Sequence, residues 1–110
     1  MFESREFKTA KRELQQFIDA YTWMVVRSEN DDPDKVEAYT SGIAMTAARY
    51  RQLGGDAEKM ITKSRSAVIT KFNAFEADYC SRTDRLLWEN IPREADQVVQ
   101  SMIAAARSGT

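Results

Sequence analysis

An apolar stripe that stays on one helix face for thirty residues, from Ala57 to Leu86, is the strongest constraint that this sequence places on a fold. Wound at 100° per residue, its members fall within a sector of about 80°. They are Ala57, Ile61, Ser64, Val68, Phe72, Phe75, Tyr79 and Leu86. The stripe predicts one long helix over residues 56–89. The alternative is a break near residues 81–84, where serine, threonine and aspartate side chains could cap a new short helix.

Two amphipathic segments precede this helix, and a capping sequence separates them. The first covers residues 3–29 and carries apolar side chains at spacings of three and four. The second covers residues 33–53. It begins at Pro33, which suits a first helical turn, and Asp32 before it can accept hydrogen bonds from free backbone N–H groups. The small residues of this second helix, Gly42 among them, predict that a neighbouring helix can approach closely.

The remaining helix boundaries are also marked. Gly54 and Gly55 can adopt the left-handed conformation that ends a helix, and Asp56 can cap the next one. A fourth helix is predicted over residues 92–107, with residues 108–110 as a frayed tail. Short connections between long helices imply antiparallel neighbours. The sequence therefore predicts an all-α fold, in which all 110 residues form one antiparallel bundle of four helices of unequal length.

Composition excludes several classes of protein. The chain has no histidine, which removes Ser-His-Asp and Cys-His triads and histidine metal sites. Its single cysteine forms no internal disulfide, and its net charge of −1 gives no overall attraction for nucleic acid or an anionic membrane. The charged Glu3 and Arg5 follow Met1 too closely for a secretory signal, and no apolar run approaches the roughly 20 residues of a membrane span. We expect a soluble cytoplasmic protein without a membrane partner.

No arrangement of side chains predicts catalysis, a cofactor or a metal ion. The aspartates within residues 30–34 lack the central glycine and terminal glutamate of a calcium loop, and helix capping accounts for them. Among the other carboxylates, Glu76 with Asp78 and Asp84 with Glu89 do not share a helix face. The sequence therefore predicts that the protein is not an enzyme.

Both tryptophans lie off the predicted apolar stripes. Trp23 points about 160° away from the stripe of the first helix, and Val26 about 100° away. Trp88 and Leu87 leave the stripe of the third helix by similar angles. Because aromatic side chains dominate binding hot spots, these four residues are candidates for a partner-binding surface. The alternative is that other helices of the same monomer cover them.

The third helix also carries a basic segment, in which four cations and no acidic residue occur between positions 59 and 75. These cations are Lys59, Lys63, Arg65 and Lys71. A second small cluster on the first helix consists of Lys8, Lys11 and Arg12. Such cations could contact a phosphate backbone or an acidic protein partner. The alternative is an ordinary solvated helix surface, since acidic residues balance the charge in most of the chain.

Three functions are consistent with these features. The leading hypothesis is a small non-enzymatic interaction protein that docks on a partner protein. It would act as an adaptor, inhibitor or regulator of the kind that phages and mobile elements encode, an analogy that rests on size and class alone. The second is a nucleic-acid-binding regulator that uses the basic face of the third helix. The third is a homo-oligomeric structural subunit, such as a homodimer, that uses the Trp23 surface against a second copy.

Overall fold

Five helices make up the described part of the protein. A computed structural model describes residues 4–83 and 90–108, and the side chains of residues 4–75 and 90–108. The helices are α1 (Arg5–Val26), α2 (Pro33–Gln52), α3 (Ala57–Lys63), α4 (Arg65–Thr83) and α5 (Ile91–Ser108). No strand occurs in these residues, and the helices pack against one another. The predicted all-α bundle is confirmed.

Side-chain caps begin the helices where the sequence indicated them. The Asp32 carboxylate accepts hydrogen bonds from the backbone N–H groups of Asp34 at 3.0 Å and Lys35 at 3.4 Å. The Asp56 carboxylate accepts one from Lys59 at 3.0 Å. Each cap satisfies backbone donors that have no partner inside the helix. The aspartates at positions 32 and 56 are therefore explained by the helices that they start.

The helix ends follow from backbone conformation. Gly54 has a φ of 95°, the left-handed conformation predicted for the end of α2. Ser28 has a φ of 59° and closes α1 at Val26, three residues before the predicted end. α5 includes Ser108, which was predicted to belong to a frayed tail, and the last two residues of that tail lie outside the described residues.

The long third helix predicted over residues 56–89 is interrupted at Ser64. The buried Ser64 hydroxyl donates a hydrogen bond to the Ile61 carbonyl oxygen at 2.6 Å, and its backbone N–H donates to the same oxygen at 3.0 Å. These bonds reach back three residues instead of four, which tightens the turn and divides the helix into α3 and α4. The prediction of a continuous helix is wrong at this serine. The alternative break at 81–84 lies partly outside the described residues, which are helical up to Thr83.

Contacts between helix ends establish the direction of each helix. The ring of Phe7, near the start of α1, lies 5.1 Å from the ring of Tyr50, near the end of α2. Glu58, near the start of α3, pairs with Arg107, near the end of α5, at 2.9 Å. α1 and α2 are therefore antiparallel, as are α3 and α5. α3 starts next to the beginning of α1, and Lys71 of the following helix pairs with Asp19 farther along α1, so α3 and α4 run in the same direction as α1.

One apolar core joins all five helices. Its largest fully buried apolar side chains are Phe72, Leu14, Ile18, Met24, Ile43, Ile61, Met102, Val26 and Val68. Since every helix contributes at least one of them, none buries its apolar face alone, and the helices stabilise one another.

The closest approach between α1 and α2 occurs at Gly42. This glycine is buried within α2, and the Phe17 ring of α1 occupies the position that a Cβ at residue 42 would need. The sequence predicted that small residues would admit a close neighbour on this helix, and Phe17 is that neighbour.

We expect Gly42→Ala to lower the free energy of unfolding by about 1 kcal/mol, because overpacking outweighs the gain in helix propensity. In a Phe17→Ala background the ring atoms that this Cβ would overlap are absent. There the same change should raise the free energy of unfolding by roughly 0.5–1 kcal/mol. Urea denaturation of the four proteins measures both effects, and an unchanged sign in the second background would contradict the close packing.

A bidentate ion pair links α3 with α5. Arg107 donates from Nε to Glu58 Oε2 at 3.2 Å and from Nη2 to Glu58 Oε1 at 2.9 Å. These hydrogen bonds lower the pKa of Glu58 below its ordinary value and raise the pKa of Arg107. The ionised carboxylate therefore stabilises the folded state.

Because folding lowers the pKa of Glu58, its carboxylate stabilises the folded state at pH values above the ordinary glutamate pKa of about 4.3. This stabilisation is lost as the pH falls below that value. We expect Glu58→Gln to be less stable than the wild type near neutral pH. The difference should shrink towards zero in acid, where the wild-type carboxyl is also protonated. Urea denaturation at a series of pH values measures this. A difference that is independent of pH would show that the ion pair adds no stability.

Candidate binding groove

Trp23 lies on the surface of α1, where two cations of its own chain partly cover it. The Arg27 guanidinium carbon is 5.1 Å from the centroid of the indole ring, and Lys71 Nζ is 6.0 Å from it. The half-buried indole also packs against the core. Since a cation over an aromatic face is stabilising, much of the Trp23 surface is already used within the monomer.

The predicted partner-binding surface does not form as a whole. Val26 is 0% exposed and belongs to the core, so its assignment to a partner contact is wrong. The physical reason is that α1 contacts α2, α4 and α5, which buries more than one of its faces. Leu87 and Trp88 lie outside the described residues. Of the four candidates, Trp23 is the one that the structure places at the surface.

The four predicted cations of the basic segment separate into two pairs. Arg65 Nε donates to Asp96 Oδ1 at 2.6 Å, which raises the pKa of Arg65. Lys71 Nζ lies 3.5 Å from Asp19 Oδ1 and next to Trp23. These two cations are therefore engaged inside the monomer. Lys59 and Lys63 are exposed, and neither forms an ion pair with a described residue.

Lys59 and Lys63 line a groove between α1 and α3 that has a volume of about 870 Å³. The cluster that the sequence placed on the first helix lines the opposite wall. Together the lining cations are Lys8, Lys11, Arg12, Lys59 and Lys63. Two carboxylates, Asp19 and Asp56, also line the groove. Five cations against two carboxylates give a formal charge of +3, within a chain whose net charge is −1.

Apolar side chains form part of the same lining. Phe7 and Met60 are half-buried and pack against the core, and the buried Tyr50 supports Phe7 at one end of the groove. The groove therefore combines apolar surface with cations on both walls. This combination suits a ligand that has both anionic and apolar groups.

Both clusters of cations are evident in the sequence, but the sequence does not show that they face the same groove. On α1 the groove-lining residues Lys8, Arg12, Gln15 and Asp19 are spaced by three or four, and so share one helix face. That spacing was the available signal for Gln15, which the sequence analysis missed. What it could not show is that this face lies opposite α3.

The described residues include no group of cysteines, aspartates and glutamates that could hold a metal ion. None of the described helices combines the length and the apolar content that crossing a membrane requires.

Comparison with protein-family models, with curated proteins and with solved structures finds no match for this chain. The geometry and charge of the groove are therefore the basis for the function proposed below.

We expect Trp23→Ala to lower the free energy of unfolding by roughly 2–3 kcal/mol, because it removes packing against the core and two cation contacts. Urea denaturation followed by circular dichroism measures this. The control is Met45→Ala on α2, a side chain that is 74% exposed. It should change stability by less than about 0.5 kcal/mol. If Trp23→Ala were as neutral as the control, the indole would be free to serve a partner.

Proposed function

We propose that this chain is a small non-enzymatic interaction protein that docks on a partner protein by holding an acidic segment of that partner in its cationic groove. The observation that carries this proposal is the convergence of cations from α1 and α3 on one groove with apolar lining. In the cytoplasm, such a protein would act as an adaptor, inhibitor or regulator of the partner that it holds.

The distribution of charge supports docking at the groove. The five cations and two carboxylates of the groove sum to +3, whereas the described side chains outside it, nine cations and ten carboxylates, sum to −1. An acidic segment is therefore attracted to the groove more strongly than to the rest of the described surface. Charge arranged in this way orients a partner and increases its rate of association.

Two features favour a protein partner over a nucleic acid. A phosphate backbone carries charge along its whole length, so it would meet Asp19 and Asp56 within the groove. A protein segment can place its carboxylates opposite the cations alone and its apolar side chains against Phe7 and Met60. Nucleic-acid binding by the same cations is therefore the second candidate.

Selection from a displayed library of random peptides of about 12 residues tests the proposal, since that length spans the groove as a helix. We expect enrichment of peptides that carry several acidic residues. A selected peptide should bind at least about tenfold more weakly to Lys59→Glu/Lys63→Glu. The matched control is Arg49→Glu/Arg93→Glu, which changes the net charge equally at exposed positions outside the groove. There binding should change by less than about twofold.

A selection without acidic enrichment, or an equal loss in both variants, would refute the proposal. Labelled DNA and RNA oligonucleotides form a parallel arm. Tight, salt-dependent oligonucleotide binding that is lost in Lys59→Glu/Lys63→Glu alone, together with weak peptide binding, would establish the nucleic-acid function instead.

A further inference from the structure

We infer that the segment held in the groove is an amphipathic helix whose apolar stripe is flanked on both sides by acidic residues. This inference rests on the proposed function and names the class of ligand. It follows from three features of the groove: its two cationic walls, the absence of a strand edge among its lining residues and the spacing of its cations.

The walls define what the ligand must present. Lys8 and Arg12 line the α1 wall, Lys59 and Lys63 line the α3 wall, and all four are exposed. Apolar surface from Phe7 and Met60 belongs to the same groove. A ligand that satisfies all of these groups has one apolar face with an acidic edge on each side, which is the pattern of an amphipathic helix.

The backbone of the groove offers no strand edge to an extended ligand. Most of the lining residues belong to helices, in which backbone groups bond mainly along the helix. In the turn, the Gly54 N–H donates to the Arg51 carbonyl at 3.0 Å, and the Gly55 N–H donates to the Tyr50 carbonyl at 2.8 Å. An extended segment would find no strand edge to pair with, whereas a helix satisfies its own backbone groups.

The spacing of the cations matches a helical ligand. Each wall presents two cations that are four residues apart, Lys8 with Arg12 and Lys59 with Lys63, which is about 6 Å along a helix axis. Acidic residues at i and i+4 on each edge of a ligand helix have the same separation. On α1 the lining extends from Phe7 to Asp19, which is roughly 18 Å, so a ligand helix of about 12 residues spans the groove.

The carboxylates of the groove restrict where the acidic residues of the ligand can lie. Asp56 lies at the end where α3 begins, and Asp19 lies towards the opposite end, beyond Arg12. Acidic residues near either aspartate would be repelled. The acidic residues of the ligand therefore belong to its central two turns.

Two labelled synthetic peptides of about 14 residues and identical composition test this inference. One has leucines at positions i, i+3, i+4 and i+7, which form an apolar stripe. Each edge of that stripe carries two glutamates that are four residues apart. The other contains the same residues in an order that forms no stripe. Fluorescence anisotropy at about 0.1 M salt should show at least about tenfold tighter binding of the first peptide. Its helicity, followed by circular dichroism, should rise on binding.

Variants of the protein test the two walls separately. Lys8→Glu/Arg12→Glu and Lys59→Glu/Lys63→Glu should each weaken binding of the striped peptide at least about tenfold. The control Arg49→Glu/Arg93→Glu should remain within about twofold of the wild type. Circular dichroism of each variant without peptide verifies its fold.

Each failure has its own meaning. Equal binding of the two peptides, or a loss in the variants of one wall only, would overturn the helical ligand and leave an acidic-segment function intact. If neither peptide binds while the library selection still yields acidic peptides, the helix inference alone fails. If an oligonucleotide of equal charge binds more tightly than the striped peptide, both proposals fail.

Discussion

The buried ring of Tyr50 joins three segments at one end of the bundle, and the groove depends on that junction. The ring lies 5.1 Å from Phe7 of α1 and covers Gly55, where any side chain would overlap it. The start of α1 is thereby held beside the turn from which α3 begins. Gly54, in the left-handed conformation, ends α2 at this turn, and α3 and α4 extend from it in the same direction as α1, as the Lys71–Asp19 pair farther along shows. The two cationic helix faces then lie side by side.

Several cations outside the groove form ion pairs with carboxylates of the same chain, whereas four of the groove cations form none with a described residue. Among the described residues, three ion pairs lie outside the groove, Lys35 with Glu29, Arg65 with Asp96, and Arg107 with Glu58, and a fourth joins Lys71 to the groove carboxylate Asp19. Such exposed pairs add little stability each, but they neutralise cations locally. In the groove, Lys8, Arg12, Lys59 and Lys63 form no ion pair with a described residue. Cations gathered on facing walls repel one another unless an anion lies between them, and this favours a role in binding over a role in folding.

Two errors of the sequence analysis share one cause. An apolar stripe is identified from the spacing of apolar residues along a helix. Predicting the fold from such stripes assumes that each helix buries one face against one neighbour. Ser64 is small enough to join such a stripe, but its buried hydroxyl bonds to the Ile61 carbonyl and divides the helix. Val26 lies off the stripe of α1, yet it is fully buried because α1 has neighbours on several sides. Neither the competing hydrogen bond nor the number of neighbours is visible in local periodicity.

The helical segments, their caps and most of their ends could be predicted from local sequence, because these features depend on residues within a few positions of one another. Asp32 and Asp56 cap the helices that follow them, and Gly54 ends α2, through interactions with residues that are near in sequence. The cationic groove, by contrast, exists only in the folded chain. Lys8 and Lys59 are about fifty residues apart, and they face one groove because apolar packing of five helices sets α1 alongside α3. Charge patterns within single helices contain no information about which helices become neighbours, since the core selects those neighbours.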